Sequence, residues 1–167
     1  MTVGEADAVR LLTMLDAEAV WFGLAGGWGV DALAGRMTRA HADLDLIVAA
    51  DRMDDTVRLL TEDGYQVATD WLPVRLELHD GDGRAVDLHP AHPDGAGGHW
   101  QAGLGDTRYQ YPPEFWTTGR IGGRPVRCAT VEGQLAVHAG YPPRDVDRHD
   151  VALLHGLAAQ CLQGRPR

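Results

Sequence analysis

The run Asp43-Leu44-Asp45-Leu46-Ile47-Val48 alternates acidic with aliphatic residues before becoming wholly apolar. Successive side chains of a half-buried strand face opposite sides of a sheet. Leu44, Leu46 and Val48 therefore mark a core face, and Asp43 and Asp45 share the other. Aspartate is depleted in strands, so two on one face call for a reason. The same alternation returns downstream, with Leu76 and Leu78 against Arg75, Glu77 and His79, and Val86 and Leu88 against Asp87 and His89. Gly81-Asp82-Gly83 joins these two segments. A three-residue loop ending on a left-handed glycine at Gly83 pairs Asp80 with Arg84. It sets Glu77 opposite Asp87 and Arg75 opposite His89, whereas a two-residue loop would break the match of faces. The expected result is one sheet surface carrying Asp43, Asp45, Glu77 and Asp87.

Carboxylates gathered this closely repel one another, and at least one stays protonated unless a cation is present. Several oxygen donors without cysteine suit Mg²⁺ or Mn²⁺. Upstream, a strand over 21–24 enters the turn Gly26-Gly27, and a short helix over 28–33 stops near Gly35. A glycine turn between strand and helix presents backbone N–H groups and a helix dipole to an anion. Around this centre, Thr2 and Glu5 have capping-box spacing ahead of a helix bearing Ala8, Leu12, Leu15 and Ala19 on one face. A helix from Asp51 carries Met53, Val57 and Leu60 inward and closes at Gly64. The stretch 91–116, rich in glycine, histidine and aromatics, reads as a loop. A hairpin over 118–121 and 125–128 turns at Gly122-Gly123. Helices over 131–139 and 146–162 close the chain, flanking a Tyr141-Pro142-Pro143 break. Residues 1–167 are expected to form a single α+β domain.

Composition narrows the chemistry. The 167 residues carry a formal charge of −9, with 24 acidic against 15 basic side chains. That balance excludes broad electrostatic binding to nucleic acid. Every basic residue is arginine, so P-loop and Schiff-base lysines are ruled out. Any phosphate must be held by arginine, histidine, backbone N–H groups or metal. Cys128 and Cys161 form no disulfide framework and have no metal spacing. With no apolar run long enough for a membrane span and no leader pattern, a reduced, cytoplasmic protein without membrane attachment is expected.

The stretch Gly26-Gly27-Trp28-Gly29-Val30-Asp31, then Gly35, then Thr38-Arg39-x-His41-x-Asp43-Leu44-Asp45, resembles the polymerase-β-like nucleotidyltransferase superfamily, and within it the antibiotic nucleotidyltransferases. The long gap from Gly27 to Asp43 suits the aminoglycoside 2″- and lincosamide nucleotidyltransferases. Trp71-Leu72-Pro73-x-Arg75-x-Glu77-Leu78, Asp87-Leu88-His89-Pro90 and Gln134-Leu135-x-x-His138-x-Gly140-Tyr141 are similar to the small A-type lincosamide enzymes. The resemblance spans about residues 21–154. It implies a mixed sheet with helices packed on one face. It also implies Mg²⁺-dependent transfer of a nucleoside monophosphate, AMP from ATP or its equivalent from another NTP, to a hydroxyl of a lincosamide antibiotic, releasing pyrophosphate. By that resemblance Asp43, Asp45 and Asp87 hold metal, with two ions expected, and Gly26 and Gly27 cradle the triphosphate.

Among the remaining site candidates, Asp87 is the first choice of general base and His89 its competitor. Glu77 either completes that constellation or binds polar groups of the antibiotic. Arg39 is the candidate partner for pyrophosphate charge. His41 either contacts phosphate or caps the loop, and Asp31 orients that loop. Arg75, Glu77, Trp71, Trp100 and Tyr111 are the candidate acceptor wall. An open cleft and family analogy suggest a homodimer. Rival readings keep the chemistry on an aminoglycoside, another sugar alcohol or a protein hydroxyl, make the chain a non-catalytic nucleotide-binding homologue, or build a zinc hydrolase on the histidines.

Overall fold

A computed structural model describes residues 2–139 and 142–163. The alternating acid–aliphatic strand is β2 (Asp43–Ala49), at the centre of a mixed sheet. It runs antiparallel to β1 (Phe22–Leu24) on one side and parallel to β5 (Ala85–Pro93) on the other. Beyond β5 lie β4 (Arg75–His79) and the edge strand β3 (Gln66–Trp71). Beyond β1 lie β9 (Arg124–Ala129) and β8 (Trp116–Ile121), joined through the glycine turn foreseen for that hairpin.

Register follows the three-residue loop. Glu77 faces Asp87 and His79 faces Ala85. Asp80 and Arg84 close the turn, with the Asp80 N–H donating to the Arg84 carbonyl at 3.1 Å. Gly83 takes φ +75°. In the parallel pair Asp45 lies beside Asp87. Leu44, Leu46, Val48, Leu76, Leu78, Val86 and Leu88 all enter one core. Leu11, Leu12 and Leu15 of α1 (Glu5–Ala17) and Met53, Leu59 and Leu60 of α3 (Met53–Glu62) cover it. Each such side chain gains roughly 1.5–3 kcal/mol on burial, and a one-residue slip would turn the aspartates into this core.

Two readings need correction. Gly4, not Thr2, is the N-cap of α1, and the Asp7 carboxylate accepts the Gly4 N–H at 3.2 Å. The stretch 91–116 is not a loop: it holds the end of β5, then β6 (His99–Ala102) and β7 (Arg108–Tyr111), paired as an antiparallel ribbon. Its inward positions include the polar Gln101, which hides the period-2 pattern.

Helix α2 (Gly26–Ala34) springs from β1 and ends on left-handed Gly35. Against it pack α4 (Val131–Val137) and α5 (Asp145–Gln163). Gly140 and Tyr141 of the sequence motif lie outside the described residues. No helix among the described residues is long and apolar enough to cross a membrane.

Candidate active site

The aspartate face of the sheet has two zones. At the β1–β2 end, Ile47, Ala91 and Tyr111 form a satellite core with Trp21, Phe115 and Trp116 packed on it. At the other end Asp45, Asp87 and His89 converge, each offering one ligand atom within 4.8 Å of the others. Asp43 stands two residues outward from Asp45 on the same face. Withdrawal from water and the negative Asp45 and Asp87 push its carboxyl up to about 6. Asp43 keeps an exposed edge, so the two neighbouring charges are the firmer cause.

Asp87 is buried, and burial followed by the nearby Asp45 charge raises its pKa despite the opposing His89 and Arg75. Its Oδ2 accepts a hydrogen bond from Arg75 Nη1, while Oδ1 has no partner. An orphaned buried carboxylate oxygen on a strand position paired with a second aspartate fits a hard divalent cation. Arg75 also reaches Glu77 Oε2 at 3.2 Å, and Glu77 Oε1 lies 2.6 Å from His79 Nε2.

His89 is oriented from behind. Gln101 accepts the Tyr111 hydroxyl on Oε1 at 2.6 Å. Its amide nitrogen lies 3.3 Å from the Val74 carbonyl and 3.2 Å from His89 Nδ1. An oxygen in that place would confront the Val74 oxygen, so the nitrogen stands there and donates to both. An N–H donor at Nδ1 leaves the neutral ring's proton on Nε2. Burial disfavours a charged ring, but Asp45 and Asp87 outweigh it and raise the pKa. In either state the nitrogen facing Asp45 at 3.7 Å and Asp87 at 4.0 Å carries hydrogen. His89 therefore faces the centre as a donor.

The glycine turn abuts these carboxylates. The Ala25 N–H donates to the Asp45 carbonyl at 3.2 Å. Gly26 has φ +54°, and a methyl group there would overlap Asp45 Oδ2. No side chain caps the α2 N-terminus. A methyl group on Gly27 would overlap Arg39 Nη2 and crowd His41 Nδ1. A strand-to-helix turn whose N–H groups open beside an acidic cluster can hold a phosphate chain next to a cation.

The Aminoglycoside-2''-adenylyltransferase family model matches residues 8–154. The chain belongs to that family. A lincosamide resistance protein of Staphylococcus haemolyticus is 28% identical over 155 residues, covering 93% of this chain and 96% of that protein. A 2''-aminoglycoside nucleotidyltransferase of Klebsiella pneumoniae is 35% identical over 130 residues, covering 74% of this chain and 66% of its own. The crystal structure of the lincosamide antibiotic adenylyltransferase LnuA, with lincomycin bound, superposes with a TM-score of 0.86 at 28% identity, covering 94% of this chain and 99% of that one. The chain is a nucleotidyltransferase of the antibiotic-modifying kind.

Within this adenylyltransferase-family fold, several candidate residues sit differently from expectation. His41 is fully buried, with Nε2 2.6 Å from Asp31, and does not reach out as a phosphate ligand. Asp31 also accepts the Thr38 N–H at 2.9 Å and hydroxyl at 2.5 Å, so this trio shapes the loop. Tyr111 is buried in the satellite core and supports Gln101, so it is no open acceptor wall. Trp100 lies between His92 and Arg108, on the ribbon face opposite Gln101 and away from His89. Trp71 does join Arg75, whose guanidinium lies 4.7 Å from the exposed indole ring.

Arg39 is no unattached cation. Asp150 of α5 accepts its Nε–H at 2.8 Å and an Nη2–H at 2.6 Å. His138 Nε2 lies 3.8 Å from the same carboxylate, and its Nδ1 donates to the Gln134 carbonyl at 2.8 Å. Burial alone would raise Asp150, but Arg39 and His138 outweigh it and hold it well below the carboxylate range. Asp150, with Asp147 further off, raises His138. A raised histidine contributes stability that is full below the unfolded value of about 6.5 and is lost as pH rises through the folded value. His138→Gln is therefore expected to lower the melting temperature more at about pH 5.5 than at about pH 8.5. Equal losses at both would remove the charge on His138 from the account.

Proposed function

We propose that this nucleotidyltransferase moves AMP from ATP to a hydroxyl of a lincosamide, releasing pyrophosphate and inactivating the drug. The observation that carries the reading is the near end-to-end likeness to the lincosamide proteins, with Asp45 and Asp87 side by side at the glycine turn. Mg²⁺ at this place, two ions by the family's logic, would neutralise charge on the attacking and leaving oxygens. Asp43, Asp45 and the unpartnered Asp87 Oδ1 would hold it.

The chain's own groups divide the remaining work. The N–H groups of Gly26 and Gly27 orient the triphosphate, and Arg39 meets charge on the departing pyrophosphate. Asp87 accepts the proton of the acceptor hydroxyl, with Arg75 holding that carboxylate in place. His89 Nε2–H keeps Asp45 and Asp87 in register and stabilises charge gathering there. Trp71 offers an apolar face beside Arg75 and Glu77, where a sugar ring can stack over one side and hydrogen-bond on the other. A cytoplasmic homodimer whose second subunit walls this open side belongs to the same reading.

The family model and the Klebsiella relative favour a second acceptor class, an aminoglycoside hydroxyl. Mass spectrometry of lincomycin, clindamycin and kanamycin, incubated with enzyme, Mg²⁺ and mixed NTPs, separates the two. Lincomycin is expected to gain one adenylyl group, with pyrophosphate formed in equal amount. Modification of kanamycin alone would move the assignment, and no modified drug would overturn it.

A further inference from the structure

We infer that Asp150 is a positioning residue for the donor nucleotide: through its two hydrogen bonds to Arg39 it holds that guanidinium against the Gly26-Gly27 turn, aimed at the pyrophosphate half. The inference rests on the nucleotidyl-transfer reading above. Asp150 lies on α5, 111 residues from Arg39, and is 1% exposed. Its carboxylate takes the Nε and Nη2 side of the planar fork, while Nη1 donates to the Ala40 carbonyl at 3.0 Å. Three of the five N–H groups are thereby used. The other two, one on each terminal nitrogen, have no partner among the described residues, and Nη2 is the atom a Gly27 methyl group would strike.

A long side chain ordinarily pays in rotamer freedom for each contact it makes. Here that cost is met before a ligand arrives. Stability alone is a poor reason for the arrangement, because burying a carboxylate to pair it rarely improves on apolar packing. A fixed cation beside the turn assigned above to the triphosphate is a better one. In a chain without lysine the planar fork must be held at the right angle as well as the right distance. One turn earlier on α5 the theme repeats. Asp147 accepts the Arg144 N–H at 2.7 Å and its Nε–H at 3.0 Å, and Arg144 sits near enough to Asp43 to lower its pKa.

The test is calorimetric titration of α,β-methylene-ATP with Mg²⁺ into the wild type, Asp150→Asn, Arg39→Gln and the double variant, with steady-state kinetics alongside. Each single change is expected to weaken binding about tenfold, since a charge-assisted hydrogen bond is worth about that ratio. The double variant should bind no more weakly than Arg39→Gln alone, because Asp150 acts through Arg39. The KM for ATP should rise and that for the acceptor stay put. Additive losses, or an Asp150→Asn affinity within about twofold of wild type, would overturn the inference. Should Asp150→Asn fail to fold, Asp150→Glu keeps the charge and moves the guanidinium by one methylene. Weaker nucleotide binding at unchanged melting temperature supports the inference there, and unchanged binding overturns it. An analogue that does not bind even the wild type would instead overturn the nucleotidyl-transfer reading.

Discussion

Asp87→Asn is expected to abolish transfer, lowering kcat by about 10³-fold or more, while the protein still unfolds cooperatively near the wild-type temperature. The activity loss follows from the two tasks placed on one carboxylate. Its Oδ1 is buried and unpartnered, and an amide in place of the carboxylate carries no charge for a cation and takes up no proton. A positioned base alone contributes about 10²–10⁴-fold, and a lost metal ligand adds to that. Folding should survive because asparagine keeps an oxygen for Arg75, and Arg75 keeps Glu77. Removing one of the negative charges that raise one another's pKa also relieves repulsion in the ligand-free protein. The melting temperature should therefore move by no more than about 4 °C, the shift that 1 kcal/mol produces at this size. Differential scanning calorimetry beside a pyrophosphate-release assay checks both halves. Turnover close to wild type would remove Asp87 as ligand and as base together, and a collapse in melting temperature would make it a folding residue.

The part of the site on β2, β4 and β5 is legible from residue order because three local rules agree there. Strand alternation sorts Asp43 and Asp45 from Leu44 and Leu46. Gly83 at φ +75° selects the loop length, and that length carries Glu77 to Asp87. The β6–β7 ribbon escapes such rules. Gln101 is buried where alternation calls for an apolar residue, and its reason for being there, the His89 imidazole on β5, lies across a strand pair. Tyr111 misleads likewise: an aromatic in a glycine-rich stretch reads as a binding surface, yet its hydroxyl completes the chain behind His89. The Arg39–Asp150 pair has no sequence signature, since α5 shows only helical periodicity and the partner is 111 residues away. Side-chain pairs between distant helices and loops are decided by packing, which no local pattern carries.

The glycine turn gives the second large effect. Gly26→Ala is expected to lower kcat by about 10²-fold or more, an electrostatic loss of the size seen when one preorganised group is displaced. A methyl group at this position would overlap Asp45 Oδ2 and lie 2.8 Å from its Cγ, so the carboxylate must leave its present position beside the turn. Alanine also sits poorly at φ +54°, at a cost of about 1–2 kcal/mol, which lowers the melting temperature by roughly 2–8 °C. Strain and displacement can be told apart with Gly35→Ala. Gly35 has φ +69°, and a methyl group there would meet nothing within 4 Å, so alanine is strained but touches no carboxylate. Gly35→Ala should lose comparable stability and keep its turnover. If both variants lose activity alike, the defect is conformational and Asp45 tolerates a shift. If Gly26→Ala alone fails, the close approach of backbone to carboxylate is what sets the reacting geometry.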